Sequence, residues 1–134
     1  FAFFQLTVPS LQPGKQEQFF YLVQEFINGE NLEEEFTKNG KFSEAQILEI
    51  LQQILPVLQF VHAHGSIHRD IKPSNIMRSR KGALFLLDFG AVKQVTKVAA
   101  SSASSTGIYS MGYAPPEQMS GGQIYPSTDL YALA

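Results

Sequence analysis

Apolar residues follow two rhythms along this chain, one of strands and one of helices. Phe19–Phe26 (FFYLVQEF) is a run rich in aromatic and β-branched residues, the pattern of a buried strand. Phe3–Val8 is a candidate partner, and Pro9-Ser10-Leu11-Gln12-Pro13-Gly14-Lys15 between them has turn composition, so the two read as a hairpin with a long loop. Asn28-Gly29 breaks the pattern. Leu32–Thr37 is a short helical stretch closed by Asn39-Gly40. Ser43 with Gln46 three residues on forms a capping box, and apolar residues at 47, 50, 51, 54, 58 and 61 predict an amphipathic helix. Pro56 is expected to kink that helix rather than end it, because the apolar period resumes beyond; Gly65 stops it.

From Gly65 to Gly90 the texture changes to short β-like pieces, with Ala83–Leu87 (ALFLL) the clearest strand. Residues 96–106 (TKVAASSASST) are small and hydroxylic and predict a mobile loop. A last helix is expected to begin near Ser127 or Thr128 and to run to Ala134. No internal repeat is visible.

With 134 residues the chain has enough length for one core. Its 44% hydrophobic content excludes wholesale disorder. Charged residues make up 16% and the net charge is −2, which gives no support to a nucleic-acid or polybasic membrane binder. Cysteine is absent, so disulfide frameworks, thiolate zinc sites and cysteine nucleophiles are excluded together. No apolar run approaches the ~20 residues of a membrane span, and no signal peptide opens the chain. The chain opens at Phe1 without an initiator Met and reads as a piece of something larger.

The chemistry concentrates in His68-Arg69-Asp70-Ile71-Lys72-Pro73-Ser74-Asn75, followed by Asp88-Phe89-Gly90. Phosphoryl transfer from ATP needs a carboxylate to orient the attacking hydroxyl and receive its proton. It needs a cation against the charge developing on phosphoryl oxygens, and hard oxygen ligands to hold Mg²⁺ on the triphosphate. Asp70, Lys72, Asn75 and Asp88 are residues of those types.

This segment resembles the protein kinase family, whose catalytic loop His-Arg-Asp-x-Lys-x-x-Asn and magnesium loop Asp-Phe-Gly both stand intact here. The five fixed residues of the first motif arise by chance in about 10⁻⁴ of chains this long, and the second lowers that to about 10⁻⁷. The resemblance implies an α+β, protein-kinase-like fold. Residues 1–27 would be the last strands of the N-lobe antiparallel sheet, leading into the hinge. Residues 28–134 would be a partial, mainly helical C-lobe with short β-hairpins, the catalytic loop at 68–75 and the activation segment at 88–117. It further implies Asp70 as base, Lys72 as transition-state cation, and Asn75 and Asp88 as Mg²⁺ ligands. ATP would meet Gln24 as gatekeeper, the backbones of Glu25 and Ile27, Asn31 near the ribose, Leu32 and Met77 beneath the base, and Lys72, Asn75 and Asp88 at the phosphates.

Other stretches extend the resemblance. Tyr113-Ala114-Pro115-Pro116-Glu117 is similar to the end of the activation segment, with Pro115 where alanine is usual. Asp129 resembles the aspartate that opens the large buried C-lobe helix and hydrogen-bonds the catalytic-loop backbone. Arg69, and more weakly Lys93, would bind a phosphate on the activation loop, for which Thr106 is the candidate, while Ser110 fills the place of a hydroxyl that contacts Asp70 and Lys72. Ser74 stands where some kinases carry a substrate-reading glutamate, which argues against a strong basic preference. The overall texture resembles bacterial, particularly cyanobacterial, serine/threonine kinases, so the implied partner is a protein substrate with no nucleic acid and no membrane contact, in the cytoplasm or on the cytoplasmic side of a membrane protein.

Nothing in the chain matches the glycine-rich phosphate loop, the N-lobe lysine or its helix glutamate, which the family places before the hinge. Residues 1–134 alone are therefore expected to be inactive, with Leu32 and Met77 left open to water. A pseudokinase-like binding module without turnover is the alternative reading; retention of all four catalytic groups argues against it. His62, His64 and His68 lack zinc-ligand spacing, and His68 reads as a packed structural residue.

Overall fold

Two antiparallel strands, β1 (Ala2–Pro9) and β2 (Gln16–Val23), pair from Ala2 with Val23 to Pro9 with Gln16. The computed structural model describes residues 2–9, 16–88, 93–94 and 110–134. The hairpin predicted from the pattern is therefore present, but β2 stops three residues before Phe26. Val23 is the last residue with a partner on β1. Where a buried strand was expected, the described side chains Tyr21 and Val23 are exposed, as are Leu6 opposite and Phe26 beyond, the last 87% exposed.

The middle of the chain folds around a three-stranded antiparallel sheet in the order β3 (Gly29–Asn31), β5 (Ile76–Ser79), β6 (Leu84–Leu86). Gly29 pairs with Ser79 and Asn31 with Met77. A Cβ on Gly29 would fall 1.9 Å from the Arg78 carbonyl oxygen, so only glycine lets β3 approach β5 this closely. Asn31 ends β3 and at once caps α1 (Leu32–Asn39). Its Oδ1 accepts from Glu34 N at 2.9 Å while its own N–H donates to the Glu34 carboxylate at 3.0 Å.

Helix α2 (Glu44–Ala63) begins at the predicted Ser43–Gln46 capping box and continues unbroken through Pro56. Its buried stripe is Ile50, Ile54, Leu58 and Val61. Ile47, expected on that stripe, is 42% exposed, because the core contact begins one turn further on. Gly65 closes the helix with φ 69°, a left-handed conformation suited to glycine.

One cluster joins these pieces: Leu32 of α1, Ile50, Ile54 and Leu58 of α2, Ile71, and Ile76, Leu84 and Leu86 of the sheet. Each such side chain stabilises the fold by about 1.5–3 kcal/mol on burial. Leu32 is 3% exposed, so the expectation that it would face water is corrected: α2 and β5 cover it. Beyond the sheet come β4 (Ser66–Ile67) paired with β7 (Lys93–Gln94), the one-turn helix α3 (Pro116–Met119) and α4 (Pro126–Leu133), which starts one residue before the predicted Ser127.

Candidate active site

The loop between β4 and a single 3₁₀ turn at Pro73–Asn75 is pinned by Ile67 and Ile71, each 1% exposed. Between these anchors the backbone turns sharply, and Arg69 adopts φ 72°. A side chain as large as arginine enters that left-handed region only where its surroundings hold it there. Asp129 of α4 does so. Its fully buried carboxylate accepts from the backbone N–H of His68 at 2.9 Å, from that of Arg69 at 2.8 Å, and from His62 Nε2 at 2.8 Å.

His68 is fully buried, as expected of a packed structural residue. Its Nε2 lies 2.9 Å from the Leu87 carbonyl, and its Nδ1 accepts from Asp70 N at 3.3 Å. This pattern assigns the proton to Nε2 of a neutral ring. Burial pushes the imidazole below its ordinary pKa, and that outweighs the opposing pull of the Leu87 carbonyl and of the Asp129, Asp70 and Asp88 charges. Leu87 is held from its other side too, because its N–H donates to the Asn75 carbonyl at 2.8 Å. These two bonds seat the end of β6 against the 68–75 loop, one residue before Asp88.

The chemical groups converge on Asp70. Ser110 donates to its Oδ1 at 2.7 Å, Asn75 Nδ2 donates to its Oδ2 at 2.9 Å, and Lys72 Nζ lies 3.0 Å from Oδ2. Lys72 also donates to Ser110 Oγ at 2.8 Å, which closes a ring of three side chains. Partial burial pushes the Asp70 pKa up, but the hydrogen bonds from Ser110, Lys72 and Asn75 and the Lys72 charge outweigh it and hold the carboxyl below its usual range. A carboxylate offers about four acceptor positions. Three are occupied, which leaves one on Oδ1.

Asn75 is buried, and its Nδ2 donates to both the Asp70 carbonyl, at 2.8 Å, and the carboxylate. Its Oδ1 takes no part in these two bonds. Asp88 is exposed and held at φ 60°, a second left-handed non-glycine residue. Two hard oxygen donors suit Mg²⁺ completed by phosphate and water, rather than an all-protein cage. Among the described residues no cluster of three His, Cys, Asp or Glu forms such a cage.

Of the residues expected at the nucleotide, Met77 lies on β5 opposite Asn31, and Gln24, Glu25 and Ile27 lie in the irregular segment between β2 and β3. Asn31 Oδ1 serves as the helix cap. Phe89, Gly90, Thr106 and the serines at 101–105 lie outside the described residues, as does the Lys93 side chain.

Three partnerships have no counterpart in the sequence reading. His62 bonds to Asp129, and Gln118 Nε2 donates to the Arg69 carbonyl at 2.7 Å. Arg78 bridges two helices, donating from Nε to Glu35 at 2.9 Å and from Nη1 to Glu49 at 2.8 Å. The only advance signal was the alternation along β5, which places Arg78 on the same face as buried Ile76 and so demands a partner there.

A carboxylate held ionised beside a lysine, a hydroxyl and a side-chain amide is the arrangement expected of a kinase phosphoryl-transfer site. The protein kinase domain matches residues 8–134, and the chain belongs to that family. Serine/threonine-protein kinase F of Synechocystis sp. is 63% identical over 135 residues, covering 100% of this chain. Serine/threonine-protein kinase B of the same organism is 45% identical over 84% of the chain, and serine/threonine-protein kinase PrkC of Bacillus subtilis 32% identical over 90%. The chain spans 27%, 21% and 18% of the lengths of these three relatives.

Proposed function

We propose that residues 28–134 supply the catalytic C-lobe, and 1–27 the last N-lobe strands and hinge, of a kinase that transfers the ATP γ-phosphoryl group to a serine or threonine hydroxyl of a protein. The observation that carries this reading is the closed ring of Asp70, Lys72 and Ser110 with Asn75 behind it. Asp70 orients the substrate hydroxyl through its remaining acceptor position and takes its proton as the oxygen attacks. Lys72 offsets negative charge on the transferring group. Asn75 and Asp88 are the residues that would hold Mg²⁺, and the ion, when bound, neutralises charge on the triphosphate. Gln24, Glu25, Ile27, Asn31 and Met77 would frame the nucleoside, with Leu32 supporting Met77 from the core.

The names of the relatives, all serine/threonine-protein kinases, support a serine or threonine hydroxyl of a protein as the acceptor. No helix among the described residues is long and apolar enough to cross a membrane. We place it in the cytoplasm or on the cytoplasmic side of a membrane protein, where ATP is available to a kinase. The test is phosphate transfer from labelled Mg-ATP by the intact protein to itself and to a protein substrate, followed by mass-spectrometric identification of the modified residues. Transfer to serine or threonine that disappears in Asp70→Asn supports the reading. An intact protein that binds Mg-ATP without transfer would establish the binding-module alternative.

A further inference from the structure

The peptide unit joining Arg69 to Asp70 is held at both ends. Its carbonyl oxygen accepts from Gln118 Nε2 at 2.7 Å, and its N–H donates to His68 Nδ1 at 3.3 Å. Gln118 stands on α3, forty-nine residues downstream, and is 6% exposed. The geometry at Arg69 explains why this bond matters. A left-handed residue points its N–H and its C=O in directions that neither a strand nor a helix would satisfy. Asp129 takes the N–H, and Gln118 takes the carbonyl.

We propose that Gln118 is a positioning residue for phosphoryl transfer, fixing the tilt of the Arg69–Asp70 peptide and therefore the direction in which Asp70 presents its carboxylate. The inference rests on the kinase reading above and adds a coupling to it. Ser110 and Gln118 lie on one stretch of chain, and both reach Asp70, one at the carboxylate and one through the preceding peptide. Correct seating of α3 is thus read out directly as the orientation of the base. A glutamine that merely filled space would not aim its Nε2 at the carbonyl that precedes Asp70.

The test compares Gln118→Met, which keeps the shape and loses the donor, with Gln118→Glu, which donates only when protonated. Both are made in the intact protein beside wild type and Asp70→Asn. Gln118→Met should lower kcat about 10- to 100-fold through misplacement of the base, with KM for Mg-ATP within about two-fold of wild type. The deficit of Gln118→Glu relative to wild type should shrink as pH is lowered from about 8 to about 6, as its buried carboxyl regains a proton to donate. Wild-type kcat in Gln118→Met would overturn the proposal while leaving the kinase reading intact. Equal loss of kcat and of Mg-ATP binding, or a Gln118→Glu deficit independent of pH, would also overturn it, since either marks a general packing role. A wild-type protein as silent as Asp70→Asn would remove the kinase reading and this inference together.

Discussion

Ser110 donates its hydroxyl hydrogen to Asp70 Oδ1 across forty residues of sequence, at 2.7 Å. Ser110 Oγ in turn accepts from Lys72 Nζ at 2.8 Å, so a single hydroxyl spans the carboxylate and the ammonium. Ser110→Ala should lower kcat about 10-fold. It also removes one of the bonds that hold the Asp70 pKa down, so that pKa rises. The acid limb of the kcat–pH profile should then move to higher pH, and an unmoved limb would show that Ser110 does not act on Asp70.

Asp70 and Asp88 should separate cleanly in kinetics. Asp70→Asn in the intact protein should lower kcat by about 10²–10⁴ with nucleotide affinity little changed, because the lost group acts on the hydroxyl. Asp88→Ala should instead abolish the Mg²⁺-dependent part of nucleotide binding, read by calorimetric titration with and without EDTA.

His68 makes folding sensitive to mild acid. Its folded pKa lies below the ordinary 6.5 of the unfolded chain, so the unfolded state binds more protons as pH falls. The stability contributed by the neutral ring is complete above pH 6.5 and is lost progressively as pH falls below it toward the folded value. Urea melts from neutral to mildly acidic pH should show the decline. His68→Gln, which retains a donor for Leu87 and cannot titrate, should show less of it.

Arg78 and its two carboxylates should differ in weight. The Arg78 and Glu35 side chains are 17% and 15% exposed, whereas Glu49 is 45% exposed. Arg78→Met leaves Glu35 charged in a partly buried site and should destabilise by about 3 kcal/mol. Glu49→Gln should cost at most about 1 kcal/mol. Equal melting-point losses from the two variants would contradict this ranking.

What the sequence made legible was local or carried by a motif. The Ser43–Gln46 capping box lies within one helical turn, and the spacing of Ile50, Ile54 and Leu58 is a property of α2 alone. Asp70, Lys72 and Asn75 lie within six residues, so their convergence needed only one tight loop; Ser110 and Asp129 were legible only through the family resemblance. His62, Gln118 and Arg78 were not legible, because each finds its partner on a distant element and no local period encodes that pairing. The end of β2 at Val23 was misread for a related reason: Gln24–Phe26 continues the strand-like composition, but the register with β1 has run out.

Asp129 enters the chain sixty residues after the Arg69 turn that it holds. A ribosome adding about 5–20 residues per second needs about 3–12 s to travel from one to the other. Throughout that interval the His68 and Arg69 N–H groups lack their carboxylate, and the left-handed turn lacks its support. The turn therefore gains its support only after α4 has been made, later than the hairpin and α2. Nascent chains arrested short of Asp129 should leave the 68–70 turn open to protease, and chains extended well past it should close it.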